Sequence, residues 1–201
     1  LPGEQNPLSA SRILGKTALL EFRTQKESTS SQLKNLQLQR FKINNLIDKF
    51  KIGDNQNEKT SLLLIDNLTE IENDINYSSN NQQFFEKLVE TKKYINNEIA
   101  NLFIKTDLSG KDLINAGRRQ EQTNNNWEVS ISFSNDGGEK FAEITKSIAG
   151  TDKLLSIVLD GESISEASVG SQFINNGITG GVATISGNFS AEDARELEVQ
   201  L

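Results

Sequence analysis

The apolar positions between residues 29 and 105 recur every three or four residues, which is the spacing of amphipathic α-helices. This stretch has no Pro and a single Gly, Gly53, so little in it would break a helix. Turn-favouring clusters at 53–57 and 76–81 divide the pattern into three stripes. The stripes are Leu33, Leu36, Ile43, Ile47 and Phe50; Leu64, Leu68, Ile71 and Ile75; and Phe84, Leu88, Ile95, Ile99 and Leu102. We therefore predict an all-α helical hairpin or three-helix insertion over 29–105.

The sequence on either side of this stretch has the pattern of β-strands. Residues 127–133 alternate apolar and polar side chains, and residues 17–23 form a second candidate strand. Residues 154–159 are a continuous apolar run closed by the turn dipeptide Asp160-Gly161, and residues 181–186 form a short strand between glycines. These four segments predict a sheet built from both ends of the chain.

Helices are predicted between these strands. Residues 138–148 place Phe141, Ile144 and Ile148 on one face, and Ser190 is a candidate N-cap for a last helix. A short helix over 7–14 would stop at Gly15. The order predicts an α+β fold: a ferredoxin-like sheet base of about four or five strands with helices on one face, interrupted by the helical insertion. Residues 1–28 and 106–201 would form the base, and 29–105 the insertion.

The composition narrows the possible chemistry. The 201 residues include no Cys and no His, which removes disulfides, thiolate nucleophiles, hydrolytic triads and most transition-metal sites. We therefore expect no enzymatic activity, no cofactor, and no catalytic or metal-binding residue. The net charge is −7, from 21 basic and 28 acidic side chains, which argues against nucleic acid as a partner.

The hydropathy pattern and the first residue suggest whether the chain is soluble and whether it is part of a longer protein. No apolar run approaches 18 residues, so we expect this fragment to be soluble. The chain lacks Met, even at position 1, so we also expect it to be part of a longer protein.

Three motifs have more than one interpretation. Residues 10–17 match a phosphate-binding loop except at its first Gly, but the predicted order of helix then strand favours a glycine cap at Gly15. The glycine cluster at 177–181 with Gly187 predicts turns on either side of one strand rather than a dinucleotide site. The acidic residues Asp160, Glu162 and Glu166 could bind a cation or act as an acid/base pair, but a solvated hairpin rim is favoured.

Several short segments form a distinctive series along the chain. In the C-terminal part these are FAEIT (141–145), IVLDG (157–161), IS (164–165), ITGG (178–181) and ISGNFSAEDA (185–194). Earlier in the chain they are LPG (1–3), ILGKTALLEFR (13–23) and LSGKDL (108–113). Together these segments closely resemble the large extracytoplasmic domain of the SecD family of bacterial protein-export membrane subunits, whereas the helical middle resembles that family only in its position.

The resemblance implies a periplasmic domain between the first two transmembrane helices of a protein embedded in the bacterial inner membrane. It also implies a ferredoxin-like base and a mobile head, with residues 29–105 being or including the head. The family works with SecF beside the SecYEG channel and uses the proton gradient to help draw unfolded precursor proteins across the membrane. Its proton-carrying residues lie in transmembrane helices, so no catalytic residue can be assigned to this chain.

Two functional hypotheses follow from the pattern and the resemblance. In the first, the chain binds the emerging precursor through apolar contacts and changes conformation, with hinges near 28–31 and 106–110. In the second, the helical insertion is a rigid docking arm for assembly with other translocon subunits and does not contact the precursor.

Overall fold

The computed structural model describes residues 19–52, 81–120 and 126–201. The chain divides into two compact units. The helical unit comprises the described residues of 27–102, and the α+β unit comprises residues 19–26 with the described residues of 103–201. The boundaries predicted from the sequence were after residues 28 and 105. The second boundary differs because residues 103–105 already belong to a strand.

The helical unit consists, in its described part, of α1 (Ser30–Ile52) and α2 (Asn81–Asn101), which pack against each other. The first and third predicted stripes are confirmed, because their central side chains are buried; these are Leu33, Ile43, Ile47, Leu88, Ile95 and Ile99. Near the far end, the ring of Phe50 stacks on Phe85 with 5.1 Å between centroids. The predicted middle stripe, 64–75, lies outside the described residues.

The α+β unit has strands and helices from both ends of the chain, which confirms the predicted fold class. The strands are β1 (Leu20–Gln25), β2 (Phe103–Ser109), β3 (Leu113–Gln120), β4 (Trp127–Phe133), β5 (Leu154–Leu159), β6 (Glu162–Ser168) and β7 (Val182–Phe189). The helices are α3 (Asn135–Ile148) and α4 (Ala191–Gln200). The predicted strands at 127–133 and 154–159 have the observed bounds, and the predicted helix at 7–14 lies outside the described residues.

Among the described residues, the strands form two antiparallel sheets rather than one. The first sheet has the order β2-β1-β5-β6 and the second the order β3-β4-β7. A 3₁₀ turn at Gly110–Asp112 carries the chain from the first sheet into the second. The ferredoxin-like detail of the expected base, one sheet of about four or five strands, is therefore not confirmed. Strands β2, β3 and β6 were not predicted, because their polar sequences lack a clear strand pattern.

Both sheets contribute to one hydrophobic core. At its centre are three aromatic rings: Phe22 of β1, Phe133 of β4 and Phe141 of α3. The ring centroid of Phe133 lies 5.5 Å from that of Phe22 and 5.1 Å from that of Phe141. Helix α3 contacts β2, β4 and β5, whereas α4 contacts the second sheet. The predicted N-cap of α4 is confirmed, since the Ser190 hydroxyl accepts a hydrogen bond from the N–H of Asp193.

Helix α3 begins at Asn135, three residues before the predicted start at Gly138. Ser134 caps it, because its hydroxyl accepts a hydrogen bond of 3.1 Å from the N–H of Gly137. A Cβ at Gly137 would lie 2.8 Å from the Cβ of Asp112, and one at Gly138 would lie 3.2 Å from the Cα of Gly181. The two glycines therefore allow close packing inside a helix, although their sequence favours a loop.

The second predicted hinge, near 106–110, lies in a strand and a 3₁₀ turn. Residues 106–109 belong to β2, where the Thr106 hydroxyl donates a 2.8 Å hydrogen bond to the carbonyl oxygen of Phe22. Gly110 opens the 3₁₀ turn, where a Cβ would lie 3.2 Å from the side chain of Leu20. This segment is thus packed and hydrogen-bonded within the α+β unit rather than free to act as a linker.

Candidate functional site

A cavity of about 270 Å³ lies within the α+β unit. Side chains from β1, α3, β5, β6, β7 and the loop that precedes β7 line it. The lining residues are Phe22, Phe141, Thr145, Leu155, Ile157, Ser165, Ala167, Ser168, Val169, Ile178, Val182, Ala183 and Thr184. Residues from five helices and strands between positions 22 and 184 therefore meet at the cavity.

The cavity extends from the hydrophobic core to the protein surface. Its inner wall includes Phe22, Phe141 and Ile157, which are buried members of the core. At its rim, Ala167 and Thr184 are exposed and Val182 is 50% exposed. Because the rim residues come from β6 and β7, the opening lies between these two strands.

The loop between β6 and β7 is held against α3 on one side of the cavity. The buried hydroxyl of Thr145 accepts a 2.8 Å hydrogen bond from the N–H of Ile178. Gly177 has a φ of +67°, and a Cβ there would lie 1.8 Å from the carbonyl oxygen of Ala142. This residue must be glycine on both grounds, since an L-residue is strained at this φ and its side chain has no space.

The described residues that line the cavity include no ionisable side chain. Its polar groups are hydroxyls of Thr145, Ser165, Ser168 and Thr184, together with backbone amides. A buried charge without a partner is costly, so such a surface favours uncharged apolar groups with some hydrogen-bonding capacity.

Ion pairs connect neighbouring elements of the α+β unit. The carboxylate of Glu21 on β1 accepts hydrogen bonds from Arg23 and from Lys105 on β2. Burial raises the pKa of Glu21, but the hydrogen bonds and charges of Lys105 and Arg23 outweigh it, so the pKa lies below its ordinary value. Successive strand residues face opposite ways, so Glu21 and the cavity-lining Phe22 are on opposite faces of β1.

A second ion pair joins the 3₁₀ turn to α3. Lys140 Nζ lies 2.6 Å from Asp112 Oδ1, and the N–H of Ser109 donates to the same carboxylate. Burial raises the pKa of Asp112, but the hydrogen bonds from Lys140 and Ser109 outweigh it and the net pKa is lowered. The junction between the two sheets is thereby tied to the helix that forms one wall of the cavity.

The glycine cluster at 177–181 forms turns before β7, as predicted. Gly177, Gly180 and Gly181 all have positive φ values, of 67°, 97° and 65°. The prediction for Gly187 is wrong, because β7 continues through it to Phe189. The motif at 10–17 that is similar to a phosphate-binding loop lies outside the described residues.

The acidic residues of the β5–β6 hairpin have separate local contacts. The Asp160 carboxylate accepts a 2.9 Å hydrogen bond from the N–H of Leu19, and Asp160 and Gly161 form the two-residue turn with φ values of 50° and 89°. Glu166 accepts a hydrogen bond from the hydroxyl of Ser163. Within the described ranges, no group of three acidic side chains is placed to hold a metal ion.

None of the cavity-lining residues was predicted from the sequence to belong to a binding site. The apolar run 154–159 and the alternating strand at 127–133 were signals for the core, but neither indicates an opening in it. The strand β6, which forms one side of the rim, was not predicted. The lining could therefore be identified only after the strand order was known.

Comparison with known proteins gives the family. The family described as SecDF, P1 head subdomain, matches residues 86–201, which is more than half of the chain. The chain therefore belongs to the SecDF P1 head family. The matched range includes most of α2 and nearly all of the α+β unit, and it overlaps the predicted insertion, 29–105, which was expected to be or include the head, at residues 86–105.

Its curated relatives are subunits of the protein translocase. The protein translocase subunit SecD of Prochlorococcus marinus is 54% identical over the whole chain, which covers 41% of that protein. The protein translocase subunit SecD of Synechocystis is 36% identical, again over the whole chain and 38% of the relative. The chain thus spans about two fifths of the length of these relatives.

Two solved structures share the fold. One, described as a membrane component SecDF that enhances protein export, has a TM-score of 0.57 and 26% identity, and the match covers all of this chain and 70% of that one. The other is SecDF in a super-membrane-facing form, with a TM-score of 0.52 and 26% identity over 96% of this chain and 20% of that one. Within the described part of the present chain, none of the helices has the combination of length and apolarity needed to cross a membrane.

Proposed function

We propose that this chain is an extracytoplasmic domain of a protein-export accessory subunit, and that it binds segments of the emerging precursor in the cavity of the α+β unit. The observation that carries this proposal is the apolar, uncharged cavity that opens between β6 and β7. An unfolded precursor exposes apolar side chains and backbone amides, and both classes of group find partners in such a surface.

The family gives this binding role its setting. The similar SecDF chain is described as enhancing protein export, and the relatives are translocase subunits. We propose that the domain faces the periplasm beside the SecYEG channel and works with SecF. In this proposal, transmembrane parts outside this chain couple binding and release to the proton gradient through a conformational change. We propose no enzymatic step, because the sequence has no Cys or His and the described cavity lining has no ionisable group.

Site-specific photo-crosslinking in the full-length protein tests the proposal. A photoreactive residue would replace Val182 at the cavity rim, in membrane vesicles that carry a precursor stalled during export. The control is the same residue at Ile114, which is 70% exposed on β3, at the other edge of the second sheet. We expect crosslinks to the precursor from position 182 and not from 114. Equal crosslinking from both positions, or none from 182, would overturn the proposal.

The helical unit supports a second candidate role, as a docking arm for other translocon subunits. Helices α1 and α2 bury their apolar stripes against each other, while Phe41 remains 62% exposed and Tyr94 64% exposed. A photoreactive residue at Phe41 distinguishes the roles in the same vesicles. Crosslinks to other subunits alone would support docking, whereas crosslinks to the precursor would assign precursor contact to the helical unit as well.

A further inference from the structure

The cavity opening is a gap between the edges of two sheets. In the described part of the chain, β6 pairs with β5 alone and β7 pairs with β4 alone, so each strand ends its sheet. At one end the edges meet, where the hydroxyl of Ser165 donates a 2.9 Å hydrogen bond to the carbonyl oxygen of Ser186. Nearer the loop, the cavity lies between them. We call this gap the seam.

The backbone of the two edges forms part of the seam. Side chains on a strand alternate between faces, so a cavity against one face would be lined by every second residue. Here it is lined by consecutive residues: 167–169 next to the end of β6 and 182–184 at the start of β7. The cavity is therefore reached from the strand edges, where backbone N–H and C=O groups of edge strands point outward.

The hydrogen bonds of β7 indicate which residues face the seam. The carbonyl oxygen of Gly181 accepts a 2.8 Å bond from the N–H of Phe133, at the end of β4. Since strand residues alternate in the direction of their backbone groups, Ala183 and Ile185 also direct theirs toward β4. Val182 and Thr184 then direct their N–H and C=O groups into the seam, on the same side as the carbonyl of Ser186 that Ser165 contacts.

We propose that the precursor segment binds by adding a strand to the β7 edge at Val182 and Thr184, with every second side chain in the cavity. This inference rests on the proposed function and specifies its binding mode. The cavity volume of about 270 Å³ lies below the roughly 300–1,000 Å³ of typical small-molecule pockets, so it fits a few small side chains of an extended peptide. Backbone bonds would supply binding without sequence specificity, and the uncharged lining would select segments whose inward side chains are uncharged.

A pair of synthetic peptides tests the backbone contribution. The first is a peptide of about nine alternating Val and Thr residues, with flanking Lys residues for solubility, an amidated C-terminus and fluorescein on its N-terminus. The second is N-methylated at every second residue, which removes the N–H groups of one edge and keeps the side chains. Both would be titrated against the 201-residue chain by fluorescence anisotropy. We expect N-methylation to weaken binding by about tenfold or more, because several backbone hydrogen bonds are lost.

Substitution on β7 tests the same contacts from the protein side. Thr184→Pro removes an N–H that faces the seam, whereas Thr184→Val keeps it and serves as the matched control. We expect Thr184→Pro to bind the unmodified peptide about tenfold more weakly than Thr184→Val, because the two variants both lack the hydroxyl and differ in the backbone N–H. Peptide binding should also protect the amide of residue 184 from hydrogen exchange in the wild-type chain. If Thr184→Pro does not fold, the two peptides still decide the question.

The outcomes separate this inference from the proposed function. Equal binding of both peptides would overturn strand addition, while precursor crosslinks from position 182 would keep the cavity as the binding site. Absence of binding by the unmodified peptide would also overturn strand addition. A third outcome concerns the chain without peptide. If the amides of residues 182 and 184 become more protected from hydrogen exchange as the protein concentration rises, a second copy of the chain occupies the seam, and the inference is overturned.

Discussion

The hydroxyl of Thr145 links α3 to the cavity loop, because it accepts a 2.8 Å hydrogen bond from the N–H of Ile178. The same hydroxyl donates a 2.7 Å bond to the carbonyl oxygen of Phe141, one turn earlier in the helix. Thr145 is fully buried, whereas Ile178 is partly buried, so the bond joins the interior of α3 to the cavity loop. One side chain therefore fixes the position of the loop relative to the cavity wall.

Thr145→Val should lower the free energy of unfolding by about 1–3 kcal/mol. Valine keeps the shape of the side chain but cannot accept the hydrogen bond from Ile178 or donate the one to Phe141, so two hydrogen bonds of this hydroxyl are lost. Urea unfolding measures the stability, and hydrogen exchange at Ile178 should accelerate. Thr184→Val, at an exposed position, is the control and should change stability by less than about 0.5 kcal/mol. Equal exchange at Ile178 in Thr145→Val and wild type would contradict the role of this bond.

Gly177→Ala should lower the free energy of unfolding by at least about 2 kcal/mol. The new methyl group would lie 1.8 Å from the carbonyl oxygen of Ala142, and alanine is also strained at a φ of +67°. Gly117→Ala is the matched control, because nothing lies within 4 Å of its Cβ position. It should be neutral or slightly stabilising, since glycine weakens a strand. Similar unfolding midpoints for the two variants would show that the loop moves away from α3.

Glu21→Gln should lower stability at neutral pH by about 1–3 kcal/mol, because the hydrogen bonds from Arg23 and Lys105 lose their charged acceptor. The folded-state pKa of Glu21 lies below its ordinary value of 4.5. The stabilisation by ionised Glu21 is therefore complete at pH values above the ordinary pKa of 4.5. It is lost as the pH falls through the lower pKa of the folded state. The wild-type chain should lose this part of its stability in acid, and Glu21→Gln should not.

Urea unfolding of both chains between about pH 3 and pH 7 measures this difference. Glu198→Gln is the control, because its ion pair with Arg118 has N···O of 3.3 Å and both side chains are about one-third exposed. Such surface pairs contribute about 0–1 kcal/mol. A wild-type stability curve parallel to that of Glu21→Gln over the whole range would exclude the proposed contribution.

Phe50→Ala should destabilise the helical unit by about 1–3 kcal/mol, less than full burial would give because Phe50 is only partly buried. Its ring stacks on Phe85 and joins α1 to α2. Phe41→Ala is the matched control, with a ring 62% exposed on the same helix. Hydrogen exchange of the α1 and α2 amides should accelerate in Phe50→Ala alone. The same acceleration in both variants would mean that the stacking contributes little.

The strands that the sequence did not predict share a location. Among the described strands, β2 and β6 are the edges of the first sheet, and β3 is an edge of the second. Edge strands are open to solvent along one side, so selection for apolar side chains is weak, as the polar β6 sequence ESISEAS illustrates. The inner strands β4 and β5 have buried side chains at regular positions and were predicted with their observed bounds. The apolar pattern therefore identified the inner strands β4 and β5 with their bounds, whereas among the described edge strands it identified only β7.

The cavity could not be predicted for a related reason. It exists because β6 and β7 end their sheets, and no local pattern records which strands lack a second neighbour. Thr145 and Gly177 are ordinary residues in the sequence, and their roles depend on contacts with residues more than 30 positions away. In contrast, the cap at Ser190 and the turn at Asp160-Gly161 depend on neighbours in sequence, and both were predicted.

The point where the chain leaves the α+β unit and returns to it has a practical consequence. β1 ends at Gln25, which pairs directly with Phe103 at the start of β2. Strands β1 and β2 therefore form a β-hairpin, and residues 26–102 are its connecting segment. A hairpin loop must only bring its two ends to one strand spacing, about 5 Å, and the entropy cost of closure grows slowly with its length. The pairing of β1 with β2 therefore tolerates inserts of very different size at this position, which makes it a suitable point for grafting another domain onto the α+β unit.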